Sequence, residues 1–96
     1  MIEVRRTDQF IEWVNALRDA RARAKIATRL VRLAEGNFGD VAPVGEGVSE
    51  LRVHYGPGYR VYFVQRGAVV VILLCGGDKS THPRDIAAAK TLAKEV

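Results

Sequence analysis

Residues 48–63 read Val-Ser-Glu-Leu-Arg-Val-His-Tyr-Gly-Pro-Gly-Tyr-Arg-Val-Tyr-Phe, two alternating segments around a Gly-Pro-Gly turn. The pattern predicts a β-hairpin with two chemically different faces. Side chains two apart on a strand share a face. Leu51, Val53, Val61 and Phe63 therefore point one way, toward a core. Arg52 and His54, with Arg60 and Tyr62 on the second strand, point the other way. Two guanidiniums, an imidazole and a phenol on one face suit a phosphodiester far better than an apolar partner.

The remaining elements follow from periodicity and caps. Ile2 to Arg5 alternates briefly and predicts a short strand. Thr7 or Asp8 caps a helix carrying Phe10, Val14 and Leu17 at i, i+4, i+7, with Trp13 beside them. Asp19 caps a longer helix that runs to about Glu35 and stops at Gly36. Its apolar face holds Ile26, Ala27, Leu30, Leu33 and Ala34. Arg23 projects from that same face and must snorkel. Joined around Arg18–Asp19, the two helices read as a helical hairpin. Gly36 to Gly47, with Pro43 and no periodicity, reads as a loop. Ala68 to Cys75 is apolar at every position, as in a central strand covered on both faces, and Gly76-Gly77 is expected to break it. Pro83 opens a last helix, with Thr81 or His82 as cap and Ile86, Ala89, Leu92, Ala93 and Val96 inside. The expected order is β-α-α-β-β-β-α. That is an α+β fold, a small antiparallel sheet packed by an N-terminal helical hairpin, with residues 1–96 as one domain.

Composition narrows the class. A chain of 96 residues has no room for a second core. A net charge of +4 and a pI near 9.6 favour an anionic partner. The lone Cys75 excludes an internal disulfide and fits a reducing compartment. The N-terminus lacks the apolar segment of a signal peptide, and the longest apolar run is too short for a bilayer, so a cytoplasmic location is expected. Cys75, Asp78 and the histidines fit no common zinc spacing. Neither a metal nor another cofactor is expected.

In this element order, three motifs stand out: Glu50-Leu51-Arg52, Gly56-Pro57-Gly58-Tyr59-Arg60-Val61-Tyr62-Phe63, and Gly76-Gly77-Asp78-Lys79-Ser80-Thr81 followed by Asp85-Ile86 and Ala89-Lys90. Together they resemble the RelE/ParE superfamily of bacterial toxins from type II toxin–antitoxin modules, and more nearly its HigB-like, phage-derived addiction module killer subgroup. The likeness covers essentially the whole chain. It implies a RelE-like fold and a ribosome-dependent mRNA endonuclease, an mRNA interferase that inhibits translation by cutting mRNA in the ribosomal A site. It also implies a cognate antitoxin, a helix-turn-helix protein encoded adjacently. In such RNases a basic strand pair and a basic residue after the last strand hold and activate the RNA. By position, Arg52, His54, Arg60 and Lys79 fall there. His82 stands where a Gln is more usual, and either adds chemistry or substitutes for a cap.

Each residue carries a plainer reading beside the functional one. Metal-independent RNA cleavage needs a base for the 2′-hydroxyl, positive charge on the phosphate and an acid for the leaving oxygen. Arg60, a planar fork that never deprotonates, suits the phosphate; otherwise it pairs with Glu50 on the neighbouring strand. Arg52 has the same two readings. The His54 imidazole suits proton transfer near neutrality, or is an exposed residue beside the turn. Tyr62 stacks a base or bonds a phosphate, or packs. Lys79, with Asp78 beside it to orient it, stabilises the phosphate or is merely solvated, and His82 contacts RNA or caps the helix. Arg18, Arg21, Lys25, Arg29 and Arg32 share one sector of the second helix. Five like charges without a carboxylate read as a solvated face or as a ribosomal RNA contact. A ParE-like toxin that poisons DNA gyrase and a nucleic-acid-binding module without toxic chemistry are the competing functions. His54 amid the basic cluster favours the nuclease over the first; the scarcity of interleaved aromatics disfavours the second.

Overall fold

In the computed structural model, which describes residues 1–96, the expected hairpin forms and the rest of the chain is laid out around it. The elements are β1 (Glu3–Arg6), α1 (Asp8–Ala16), α2 (Ala20–Ala34), β2 (Val41–Gly45), β3 (Val48–Val53), β4 (Tyr59–Arg66) and β5 (Val70–Asp78). A 3-10 turn (Lys79–Thr81) then leads into α3 (His82–Ala93). One five-stranded sheet has the order β1-β5-β4-β3-β2. It is mixed rather than antiparallel, because β1 runs parallel to β5. These two are the first and last strands, so no tight turn ties them and antiparallel pairing is not imposed.

The caps of α1 and α2 are where the sequence puts them. Thr7 Oγ1 accepts from the Phe10 N–H at 3.1 Å and donates to the Leu74 carbonyl at 2.6 Å, fixing the start of α1 to β5. Asp19 accepts from the N–H groups of Arg21 and Ala22 and opens α2. Arg18 lies in the link between the helices, off α2. The misfit Arg23 turns back to donate to the Leu17 carbonyl at the end of α1.

The expected loop 36–47 contains a strand, β2. Pro43 conceals it, yet β2 is an edge strand, where a missing N–H is tolerated. Its register slips between Pro43 and Gly45, and it turns into β3 through Gly45-Glu46-Gly47, all at positive φ. At the other end, Gly76-Gly77 does not break β5, which continues to Asp78. A Cβ at Gly76 would overlap the Trp13 ring, and one at Gly77 would overlap the Asp85 carboxylate. The two glycines are therefore where α1 and α3 touch the strand's backbone. The central strand is β4, with β5 beside it.

Both faces of the sheet are covered. On one, Phe10 of α1 and Ile26, Leu30 and Leu33 of α2 pack on Leu51, Val53, Val61 and Phe63. On the other, Ala89 and Ala93 of α3 pack on Val48, Tyr62, Val64 and Leu74. The helical hairpin is thus only half of the packing. Ala27 stays exposed on α2, and Val96 is exposed beyond the end of α3.

Candidate functional site

The even-numbered residues of β3 share the face over which α3 begins. Glu50 lies among them, opposite Tyr62 of β4, and Arg52 lies directly across from Arg60. Only 1% of Glu50 is exposed. Arg52 Nε donates to its Oε2 at 2.8 Å, and Arg60 Nη1 donates to the same oxygen at 3.2 Å. The other oxygen, Oε1, lies 2.8 Å from His82 Nε2. Two guanidiniums and an imidazole from three elements therefore meet on one buried carboxylate. Burial pushes the Glu50 carboxyl up, but the hydrogen bonds from His82 and Arg52 and the charge of Arg60 outweigh it and hold it below its ordinary range. Glu50 is a carboxylate at neutral pH.

The Lys79–Thr81 turn brings His82 to this point. Asp78 accepts from the Ser80 N–H at 2.8 Å, and Thr81 Oγ1 accepts from the Asp78 N–H in return, closing a capping box on the short turn. Neither Thr81 nor His82 caps α3 through its side chain. His82 is the first residue of α3 and spends its ring on Glu50 instead.

A second carboxylate extends the cluster. Asp40, from the segment before β2, lies 3.7 Å from Arg52 Nη1 and pairs with His54 Nε2. The His54 hydrogen bond draws the Asp40 carboxyl down. The result is a chain of charges, His82–Glu50–Arg52–Asp40–His54, with an imidazole at each end. The basic face expected from the hairpin is corrected here, since it carries two carboxylates. His54 does not join Glu50; it is exposed at the end of β3. Arg60 sits largely covered beside Glu50, and its Nε has no partner.

Tyr62 is the clearest correction. It is fully buried under α3, so it neither stacks on a base nor touches a phosphate. Its hydroxyl has no partner, and burial, with the charges of Glu50 and Asp85, pushes it far up. Lys79 is exposed and unpaired, and its stem lies across the hairpin turn. At Gly58, where φ is +80°, a Cβ would stand 2.9 Å from Lys79 Cε.

The five-residue basic stripe also contracts. Arg18 is in the link. Arg29 turns inward and donates to the carbonyls of Arg52, Phe38 and Asp40, bolting the segment before β2 to β3. Lys25 sits 5.3 Å over the Tyr55 ring. Arg21 and Arg32 remain exposed and without a carboxylate partner. Lys25, Arg29, Arg32 and His54 line a groove of about 420 Å³ between α2 and the end of β3.

Sequence reasoning used Glu50 only as an ion-pair partner. Its alternation with Arg52 on a strand was the available signal. Asp40 had none, because its place depends on Arg29 and β2. The arrangement can do two things chemically: the guanidiniums can balance charge on a phosphate, and an imidazole oriented by a carboxylate can move a proton. No helix is long and apolar enough to cross a membrane.

The protein family described as "Phage derived protein Gp49-like (DUF891)" matches residues 12–95. An uncharacterized protein of Haemophilus influenzae is 50% identical over 95 residues, which cover 99% of this chain and 96% of that one. Among solved structures, a mutant of the E. coli toxin RelE in the free state aligns with a TM-score of 0.73, over 99% of this chain and 97% of that chain. Identity to it is 13%, so what the two share is the fold.

Proposed function

Because the chain belongs to the phage-derived Gp49-like family and has a RelE-like fold, we propose that it is the toxin of a type II toxin–antitoxin module. On this reading it is a ribosome-dependent mRNA endonuclease of the HigB-like subgroup, working as one domain in the cytoplasm and held inactive by a cognate antitoxin. The observation that carries the proposal is the meeting of Arg52, Arg60 and His82 on buried Glu50.

The reaction is attack of a 2′-hydroxyl on the adjacent phosphorus. The 2′-hydroxyl gives up its proton, the bond to the 5′-oxygen breaks, and that oxygen takes a proton. A 2′,3′-cyclic phosphate and a 5′-hydroxyl result. Arg60 and Arg52 bond the phosphate oxygens, and unpaired Lys79 adds charge from the turn side. The imidazoles at the two ends of the charge chain are the proton-transfer groups. Glu50 orients the His82 ring, while Asp40 does the same for His54. Glu50 is too deeply buried to touch RNA and is a positioning residue. Arg21, Lys25 and Arg32 meet ribosomal RNA.

The test is mRNA cleavage with and without ribosomes at matched ionic strength, run beside a gyrase supercoiling assay. Cleavage that requires ribosomes supports the proposal. Gyrase inhibition with intact mRNA would transfer the chain to the gyrase-poisoning reading.

A further inference from the structure

The groove of about 420 Å³ between α2 and the end of β3 joins cationic walls to an apolar floor. Buried Val53 is the floor, and the short side chains of Ala24 and Thr28 keep the α2 wall low. Lys25, Arg29 and Arg32 bring three positive charges, none of them in an ion pair, and no carboxylate lines the groove. Two of the three cations are held in place. Lys25 lies over the Tyr55 ring, whose hydroxyl donates to Asp19 at 2.9 Å. The Arg29 guanidinium donates to three carbonyls, and a Cβ on Gly39 would stand 2.8 Å from its Nη2, so the chain before β2 covers one side of it. Arg32 is exposed and spent on nothing.

We propose that this groove binds a nucleotide, one heterocycle with its ribose and phosphate. Its volume falls within the ~300–1,000 Å³ usual for small-molecule sites. Lys25 and Arg32 stand two helical turns apart, about 10 Å along α2, which leaves room for a phosphate at one end and a base at the other. The heterocycle lies on Val53 against the Arg29 guanidinium, since guanidinium planes stack on bases. The phosphate meets Arg32, whose fork can bond two of its oxygens. An inorganic anion would satisfy Arg32 and leave the floor uncovered. A protein segment is the poorer occupant, because one valine is too small a floor for the apolar anchors of a helix. The proposal stands on these lining residues and not on the toxin reading. A free nucleotide and a nucleotide within an RNA strand, ribosomal RNA included, share this chemistry, and the test separates them.

Binding is measured on the full chain without ribosomes. The wild type and variants are titrated calorimetrically at one salt concentration with the 5′-ribonucleoside monophosphates, a single-stranded tetraribonucleotide and inorganic phosphate. Nucleotide binding is expected to be about tenfold or more tighter than phosphate binding. Ala24→Leu, which fills the groove from an exposed position, and Arg32→Ala should each weaken it about tenfold, with the fold intact by circular dichroism. Arg21→Ala and Lys79→Ala, at residues that do not line the groove, should leave it unchanged. A tetranucleotide that binds within about tenfold of the monophosphates makes the free nucleotide the ligand; one that binds more tightly still, with the same losses in Ala24→Leu and Arg32→Ala, makes it a strand. The proposal is overturned if neither monophosphate nor tetranucleotide binds, or if inorganic phosphate binds as tightly, which would mean charge alone. It is equally overturned if folded Ala24→Leu and Arg32→Ala bind like the wild type, or if Lys79→Ala abolishes binding, which would put the nucleotide at the Glu50 cluster and the hairpin turn instead.

Discussion

His82 Nε2 lies 2.8 Å from Glu50 Oε1, so the first residue of α3 and a residue of β3 form one polar unit. The Glu50 side chain is 2% exposed and that of His82 is 35% exposed. The imidazole meets solvent while the carboxylate stays behind it, the order a positioned proton-transfer group requires. Because Arg52 and Arg60 hold the other oxygen, the unit joins the last helix to the centre of the sheet, and changes to Glu50 should register in stability as well as chemistry.

Glu50→Ala is expected to destabilise the fold by roughly 3–5 kcal/mol, since it leaves Arg60 facing a buried gap. Glu50→Gln keeps the shape and removes the charge. The folded protein holds this carboxyl below its ordinary value of 4.5. Its contribution is therefore fully present above about that pH and lost as pH falls through the lower folded value. Urea unfolding of wild type and Glu50→Gln across this range should show the difference between them shrinking on acidification. A constant difference would mean that Glu50 acts through packing alone.

Arg60→Ala should lower single-turnover cleavage on programmed ribosomes by about 10²–10³, the loss seen when a preorganised donor is removed. Arg52 and His82 still hold Glu50 in that variant, so the protein should remain folded by circular dichroism. Arg60→Lys keeps the charge without the fork and is expected to recover only part of the rate. Near wild-type cleavage by folded Arg60→Ala would remove Arg60 from the site.

Much of this was legible because it is local. The alternation around Gly56-Pro57-Gly58 gave β3 and β4, and Thr7 and Asp19 announced the two helix starts. Strand β2 escaped because Pro43 signals a loop unless an edge position is already known. Gly76-Gly77 read as a break because close approach by Trp13 and Asp85 is tertiary information. The same limit applies to the site. Alternation put Tyr62 and Arg52 on one face but could not say that α3 covers the first and not the second. Arg29 looked like its neighbours on the helical wheel, and only the path of residues 38–40 turns it inward.

Tyr62→Phe separates the buried phenol from the site. Its hydroxyl has no partner, and a buried unpaired polar group costs about 1–3 kcal/mol. The variant should be at least as stable as wild type in urea and cleave mRNA at an unchanged rate. Loss of cleavage without loss of stability would return Tyr62 to the RNA site.

Gly76→Ala tests the contact between α1 and β5. A Cβ there overlaps the Trp13 ring, which packs against Phe10 and Tyr59. Overpacking of this kind costs about 1–3 kcal/mol. The fluorescence of Trp13, the chain's single tryptophan, should shift together with a lowered denaturation midpoint. An unshifted spectrum and midpoint would mean that the ring does not lie on the strand's backbone.

The last prediction concerns the surface that meets the ribosome. Of the five stripe residues, Arg21 and Arg32 are exposed without carboxylate partners, whereas Arg29 is spent on three carbonyls. Phosphate contacts release counterions, so binding weakens linearly in log salt, and each contact removed lowers the slope by about one. Arg21→Glu and Arg32→Glu should each flatten the salt dependence of ribosome association while leaving the fold intact. Arg29→Glu should instead loosen residues 38–40, free Asp40 from His54 and lower thermal stability. Sedimentation with ribosomes across a salt series, paired with thermal unfolding, distinguishes the two behaviours. A steep salt slope unchanged by either substitution would place the ribosomal contact elsewhere, on Lys79 and the hairpin turn.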